Sequence, residues 1–110
     1  MTDVTRAHVS RVLVRLSQWV DEGISTGTPP RIAKLAEEVG EVNTAYTGMT
    51  GENRRKGVTH GMADVLEEVL DVGVAAVALY EHLTGHQGLA MARLDEKIFK
   101  VAARAGVDPE

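Results

Sequence analysis

The stretch Val-Leu-Asp-Val-Gly-Val-Ala-Ala-Val-Ala-Leu-Tyr, Val69 to Tyr80, is apolar on almost every side and carries one charge, Asp71. A helix of this kind has to be covered all round, and a chain of 110 residues covers a central helix that well only with help. The stretch therefore predicts an all-α, four-helix bundle-like single domain, residues 1–110, that is oligomeric with helix 3 at or near the subunit interface.

The flanking sequence supplies three more helices. Val9, Val12, Leu13, Leu16, Trp19 and Val20 recur at three- and four-residue spacings, which predicts helix 1 from about Thr5 to Val20 with Gly23 as its stop. Thr28-Pro29-Pro30 suits the start of a helix because proline needs no donor in the first turn, so helix 2 begins near Arg31. Its apolar stripe is Ile32, Leu35, Val39, Val42 and Tyr46, and Gly48 and Gly51 end it. The connection Thr47 to Gly57 carries the basic run Arg54-Arg55-Lys56 and reads as a cationic loop, after which helix 3 starts at about Thr59. Thr84 to Gly88 closes helix 3, and Leu89 to Ala105 reads as helix 4 with Leu94, Ile98, Val101 and Ala102 inward. No stretch shows strand alternation.

Composition removes several functional classes. The absence of cysteine excludes disulfides, thiolate metal sites and cysteine nucleophiles, so a metal must be held by oxygen or imidazole. A net charge of −4 and 4% aromatic residues argue against a nucleic-acid polymer as partner. No run reaches the roughly 20 apolar residues of a bilayer span, and Met1 to His8 lacks the plan of a signal peptide. A cytoplasmic protein without a membrane partner is the expectation.

The acids carry the chemistry. Glu38 and Glu41 are three residues apart on helix 2, with Glu37 one turn behind Glu41, and Glu68 and Asp71 repeat the spacing on helix 3 after Asp64 and Glu67. Between Gly57 and Ala92 there is no lysine or arginine to neutralise them. Carboxylates gathered in a low-dielectric setting take up protons or bind a cation, and oxygen-only ligands suit Mg²⁺ or Mn²⁺, which also binds substrate phosphates. The di-iron carboxylate design needs Glu-x-x-His pairs. Here His8, His60, His82 and His86 follow Thr5, Gly57, Leu79 and Leu83 at that spacing, so the design is absent.

The segment Lys34-Leu35-Ala36-Glu37-Glu38-Val39-Gly40-Glu41, followed by Glu68-Val69-Leu70-Asp71, resembles the E-E-x-x-E … E-x-x-D signature of the MazG-like all-α nucleoside triphosphate pyrophosphohydrolases. The resemblance runs from about Arg31 to Gly85. It implies a homodimer or dimer of dimers in which Glu38, Glu41, Glu68 and Asp71 hold Mg²⁺, and hydrolysis between the α and β phosphates gives a nucleoside monophosphate and pyrophosphate. Glu37 and Glu38 are then the catalytic candidates, with Glu37 beside the metal ligands or activating water. Lys34, Asn53, Arg54, Arg55, Lys56 and His60 become candidates for the triphosphate, joined by Lys97 and Arg104 on helix 4, where the family's asparagine is missing. The connection lacks the inserted helices of the dUTP-specific relatives. Two other readings stay open: a noncatalytic oligomerising metal-binding module, and a related phosphohydrolase acting on an alarmone or dinucleotide.

Overall fold

The structure, a computed structural model, describes residues 3–23, 27–52 and 55–108. It is all-α, with α1 at Asp3–Gly23, α2 at Thr28–Thr50, α3 at Met62–Leu83 and α4 at Ala90–Arg104, and no strand among the described residues. None of these helices is long and apolar enough to cross a membrane.

Helix ends follow local chemistry. Gly27 is the extended N-cap of α2, and Pro29 and Pro30 occupy its first turn, where missing N–H groups cost nothing, so the helix starts at Thr28 rather than Arg31. It also runs through Gly48, which the sequence reading placed at its end. That glycine serves close packing: its carbonyl accepts the Thr59 N–H at 2.9 Å, and a Cβ there would overlap His60 Nδ1 and Thr59 Oγ1. Gly51 ends the helix instead, in the left-handed conformation at φ 72°. α3 begins at Met62, later than expected, with the Asp64 carboxylate accepting the Gly61 N–H at 2.8 Å. Asp64 is thus bound up in starting its own helix.

α2 and α3 pack side by side, α1 lies on α3, and α4 packs on α3 and α1. Leu13, Ala78 and Ala90 form the apolar centre, with Val77 and Met91 against it. The inward face of α2 is Arg31, Glu38 and Ala45, seven residues apart, while Ile32, Val39 and Tyr46 of the predicted stripe are exposed. The inward face of α2 thus carries two charged side chains beside Ala45, with Leu35 and Val42 half-buried. On α3, Val69, Leu70 and Val74 are exposed, Leu70 at 62%, and on α4 Leu94, Ile98 and Val101 face solvent rather than the interior. The radius of gyration is 16.8 Å, against roughly 13 Å for a compact chain of this length.

Candidate metal centre

Glu38 and Glu41 on α2 face Glu68 on α3, and the three side chains each offer an oxygen within 4.8 Å of the other two. Helical spacing puts the α2 pair on one side, and α2–α3 packing brings Glu68 across from it. Glu38 is 9% exposed, and Glu68 Oε2 is buried with no hydrogen-bond donor. Burial first, then the negative charges of Glu41 and Asp71, push the Glu68 carboxyl above its ordinary 4.5. An unsatisfied buried oxygen among like charges is the arrangement that either a proton or a cation stabilises. The donors are all carboxylate oxygens, which suits a hard divalent ion.

Asp71 lies outside that close triad, exposed one turn beyond Glu68. It shares with Glu38, Lys34 and Arg31 a cleft of 320 Å³ whose wall is Leu16, Val20 and the small side chains of α3. The hydrogen bond from Lys34 Nζ to Glu38 Oε1, at 3.0 Å, is the main reason the Lys34 ammonium is held above its ordinary value. Glu37 points outward, with its side chain 59% exposed and 3.7 Å from Lys34 Nζ.

The remaining sequence candidates are dispersed. Lys56 and His60 line a small hollow with Thr44, Thr47, Gly48 and Thr59 at the far end of α2, away from the cleft's lining residues. His60 Nδ1 is within 2.8 Å of Thr59 Oγ1. Arg55 is exposed, whereas Asn53 and Arg54 lie outside the described residues. Lys97 lines a separate groove between α3 and α4 with Tyr80 and Arg93, and Arg104 stands exposed in the last turn of α4.

Two features escape the sequence reading. Arg31 is buried at the junction of α1 and α2, where Nη1 donates to Asp21 Oδ1 at 2.6 Å and to the Ser17 carbonyl at 3.2 Å, and Nη2 donates to Ser17 Oγ at 3.1 Å. The same Asp21 faces His82 Nδ1 at 3.0 Å and His86 Nε2 at 3.3 Å. Burial alone would raise the Asp21 carboxyl, but hydrogen bonds from His82 and Arg31 outweigh it and hold the group below 3.8. Arg31 was legible as the residue seven before Glu38 on one helix face. The Asp21 partnership, 61 residues from His82, had no local signal.

Comparison of the chain with protein-family models, with curated proteins and with solved structures gives no match. Function has to be argued from the site itself.

Proposed function

We propose that the protein is a Mg²⁺-dependent nucleoside triphosphate pyrophosphohydrolase that clears nucleotides from the cellular pool, working as a dimer or dimer of dimers. One observation carries the reading: the Glu38, Glu41 and Glu68 carboxylates converge, with Glu68 Oε2 buried and without a donor. This is chemistry that a cation completes. The E-E-x-x-E and E-x-x-D spacing that resembles the MazG-like enzymes falls on those same residues, with Asp71 at the neighbouring cleft.

In this reading Glu38, Glu41 and Glu68 would hold Mg²⁺, with Asp71 at the neighbouring cleft as a further candidate ligand. Bound there, Mg²⁺ supplies positive charge to the phosphate oxygens and to the attacking water. Lys34 lines the cleft beside the acids and would neutralise phosphates bound there, whereas Arg31, in the same lining, is already committed to Asp21 and Ser17. Glu37 stays the candidate for accepting the proton that water loses, with its side chain exposed and 3.7 Å from Lys34 Nζ. Water forms the new bond to the α phosphorus, the bond from that phosphorus to the α–β bridging oxygen breaks, and pyrophosphate leaves. The far hollow with Lys56 and His60, and the Lys97 groove, reach the substrate only if a second copy brings them to the cleft.

A second copy also supplies what the isolated chain lacks. Val39 and Tyr46 on α2 and Val69 on α3 line one exposed apolar face, on the two helices that carry the acids. Burying such side chains contributes roughly 1.5–3 kcal/mol each, so association through this face stabilises the hairpin on which the site is built.

The test is turnover over a panel of ribo- and deoxynucleoside triphosphates with Mg²⁺ and with chelator, reading monophosphate and pyrophosphate separately. Both products, lost on chelation, support the reaction. No turnover by a folded protein that still binds Mg²⁺ sinks it and favours a noncatalytic module. Light scattering at micromolar concentration checks assembly, and a monomer there overturns the dimer.

A further inference from the structure

The second polar centre lies where α1, the start of α2 and the end of α3 meet, and its donors differ in kind from the carboxylate triad. Asp21, His82 and His86 each offer one ligand atom within 4.8 Å of the others. We infer that these three residues form a separate site for a transition-metal ion of the zinc class, held by two imidazoles and one carboxylate.

Spacing is the first argument. Donors about 2.1 Å from a common ion stand roughly 3.0–3.4 Å apart at right-angled or tetrahedral positions. Asp21 Oδ2 is 3.0 Å from His82 Nδ1 and 3.3 Å from His86 Nε2, which is that range. Without an ion, these distances are bridged by protons on the imidazole nitrogens, and an ion takes the place of those protons.

The surroundings already orient the donors. Arg31 holds Asp21 by Oδ1 at 2.6 Å, which turns Oδ2 toward the two rings, although His82 Nδ1 is also 3.0 Å from Oδ1. The other ring nitrogen of His82, Nε2, meets Thr28 Oγ1 at 3.2 Å. Once an ion displaces the Nδ1 proton that faces Asp21, Nε2 would donate to Thr28 Oγ1, the form in which a histidine ligates. Ser17 Oγ donates its proton to the Ala78 carbonyl at 2.9 Å, so at 3.0 Å it accepts the His86 Nε2 proton, the proton that an ion has to displace.

Backbone geometry points the same way. His86 adopts φ 59°, the one non-glycine residue with positive φ among those described. That conformation brings its ring back onto His82 at 6.4 Å between centroids, one turn past the point where α3 has ended. Local strain of this kind is kept where surrounding structure or function requires it. A groove of 630 Å³ between α1 and the turn after α3 has His86 in its wall, but Arg6, Arg11 and Arg15 line it too and Asp21 and His82 do not, so it exposes one edge of the site to solvent without favouring a cation. Side-chain exposures of 14–20% for the three residues leave room for water on the ion.

Imidazole donors select zinc, cobalt or nickel, whereas the all-oxygen triad selects magnesium or manganese, so the two sites separate by metal type. The experiment titrates Co²⁺ into the full chain carrying Glu68→Gln, which removes the carboxylate site from the reading, and follows visible absorption. The expected result is one equivalent of Co²⁺ with a spectrum distinct from the aquo ion, displaced by Zn²⁺ and unaffected by Mg²⁺. His82→Gln and, separately, His86→Asn each remove the band or weaken Co²⁺ binding about 10-fold or more. Asparagine tolerates positive φ, so His86→Asn keeps the turn, and circular dichroism checks that each variant is folded. A spectrum that stays that of the aquo ion, or a band that survives both histidine changes, overturns the site. Neither outcome bears on turnover with Mg²⁺, so failure here leaves the pyrophosphohydrolase reading standing, and the reverse holds.

Discussion

Glu68 and Glu81 are carboxylates on the same helix, and their environments are opposite. Glu81 is fully buried, yet both oxygens are satisfied: Oε1 accepts the Gly88 N–H and Oε2 the Ala90 N–H, each at 2.8 Å. It caps the start of α4 from a neighbouring helix, where the exposed amide groups and the helix dipole favour negative charge. Glu68, about three turns earlier, has a buried oxygen with no donor and faces Glu41 and Glu38. Burial of a carboxylate therefore does not by itself mark a functional site. The distinguishing mark is whether the protein supplies the partners, and for Glu68 Oε2 it does not.

Breaking either side of this contrast has different consequences. Glu81→Ala strands two amide groups and removes packing, with an expected loss of about 3 kcal/mol from two charge-assisted hydrogen bonds, read by urea unfolding, while Mg²⁺ binding by folded protein is unchanged. Glu68→Gln is expected to lower Mg²⁺-dependent turnover about 100-fold or more with the fold retained, because a metal ligand is lost. Turnover at the parent level would remove Glu68 from the site.

A milder effect comes from pH. The folded Glu68 carboxyl keeps its proton above the ordinary 4.5 at which the unfolded chain releases it. Its contribution is thus complete below about 4.5 and is lost as pH rises through the folded value. Metal-free parent protein should lose melting temperature relative to Glu68→Gln as pH rises from about 4.5 toward neutrality, and Mg²⁺ should remove that difference. Parallel melting curves across the range would break the electrostatic account. The smallest change expected is Lys34→Met: on the proposed reading, in which the ammonium neutralises phosphate at an exposed rim, KM rises several-fold with kcat little altered.

Periodicity was enough for the four helices and put Glu38 and Glu41 on one side of α2, whereas the same spacing on α3 left Asp71 outside the triad that Glu68 joins. It misjudged which face of α2 turns inward. Arg31 turns inward and Ile32 outward because Arg31 meets Asp21 and Ser17 on α1, partners that hydrophobicity counted along one helix cannot register. The histidines show the same limit. Glu-x-x-His spacing tests only contacts within a helix, and the acid facing His82 and His86 comes from α1.

By itself, then, the sequence determined the all-α class, the absence of cysteine chemistry and the pairing of Glu38 with Glu41 and Glu68 with Asp71, all of which follow from composition and helical pitch. Only the tertiary structure decided that Glu68 joins the α2 pair closely while Asp71 stands at the mouth of the cleft, that Glu81 is a cap, and that Asp21 meets two histidines. Those outcomes depend on how helices distant in sequence are set against one another. They turn on distances of an ångström or two between side chains, which the spacing of residues along one helix does not contain.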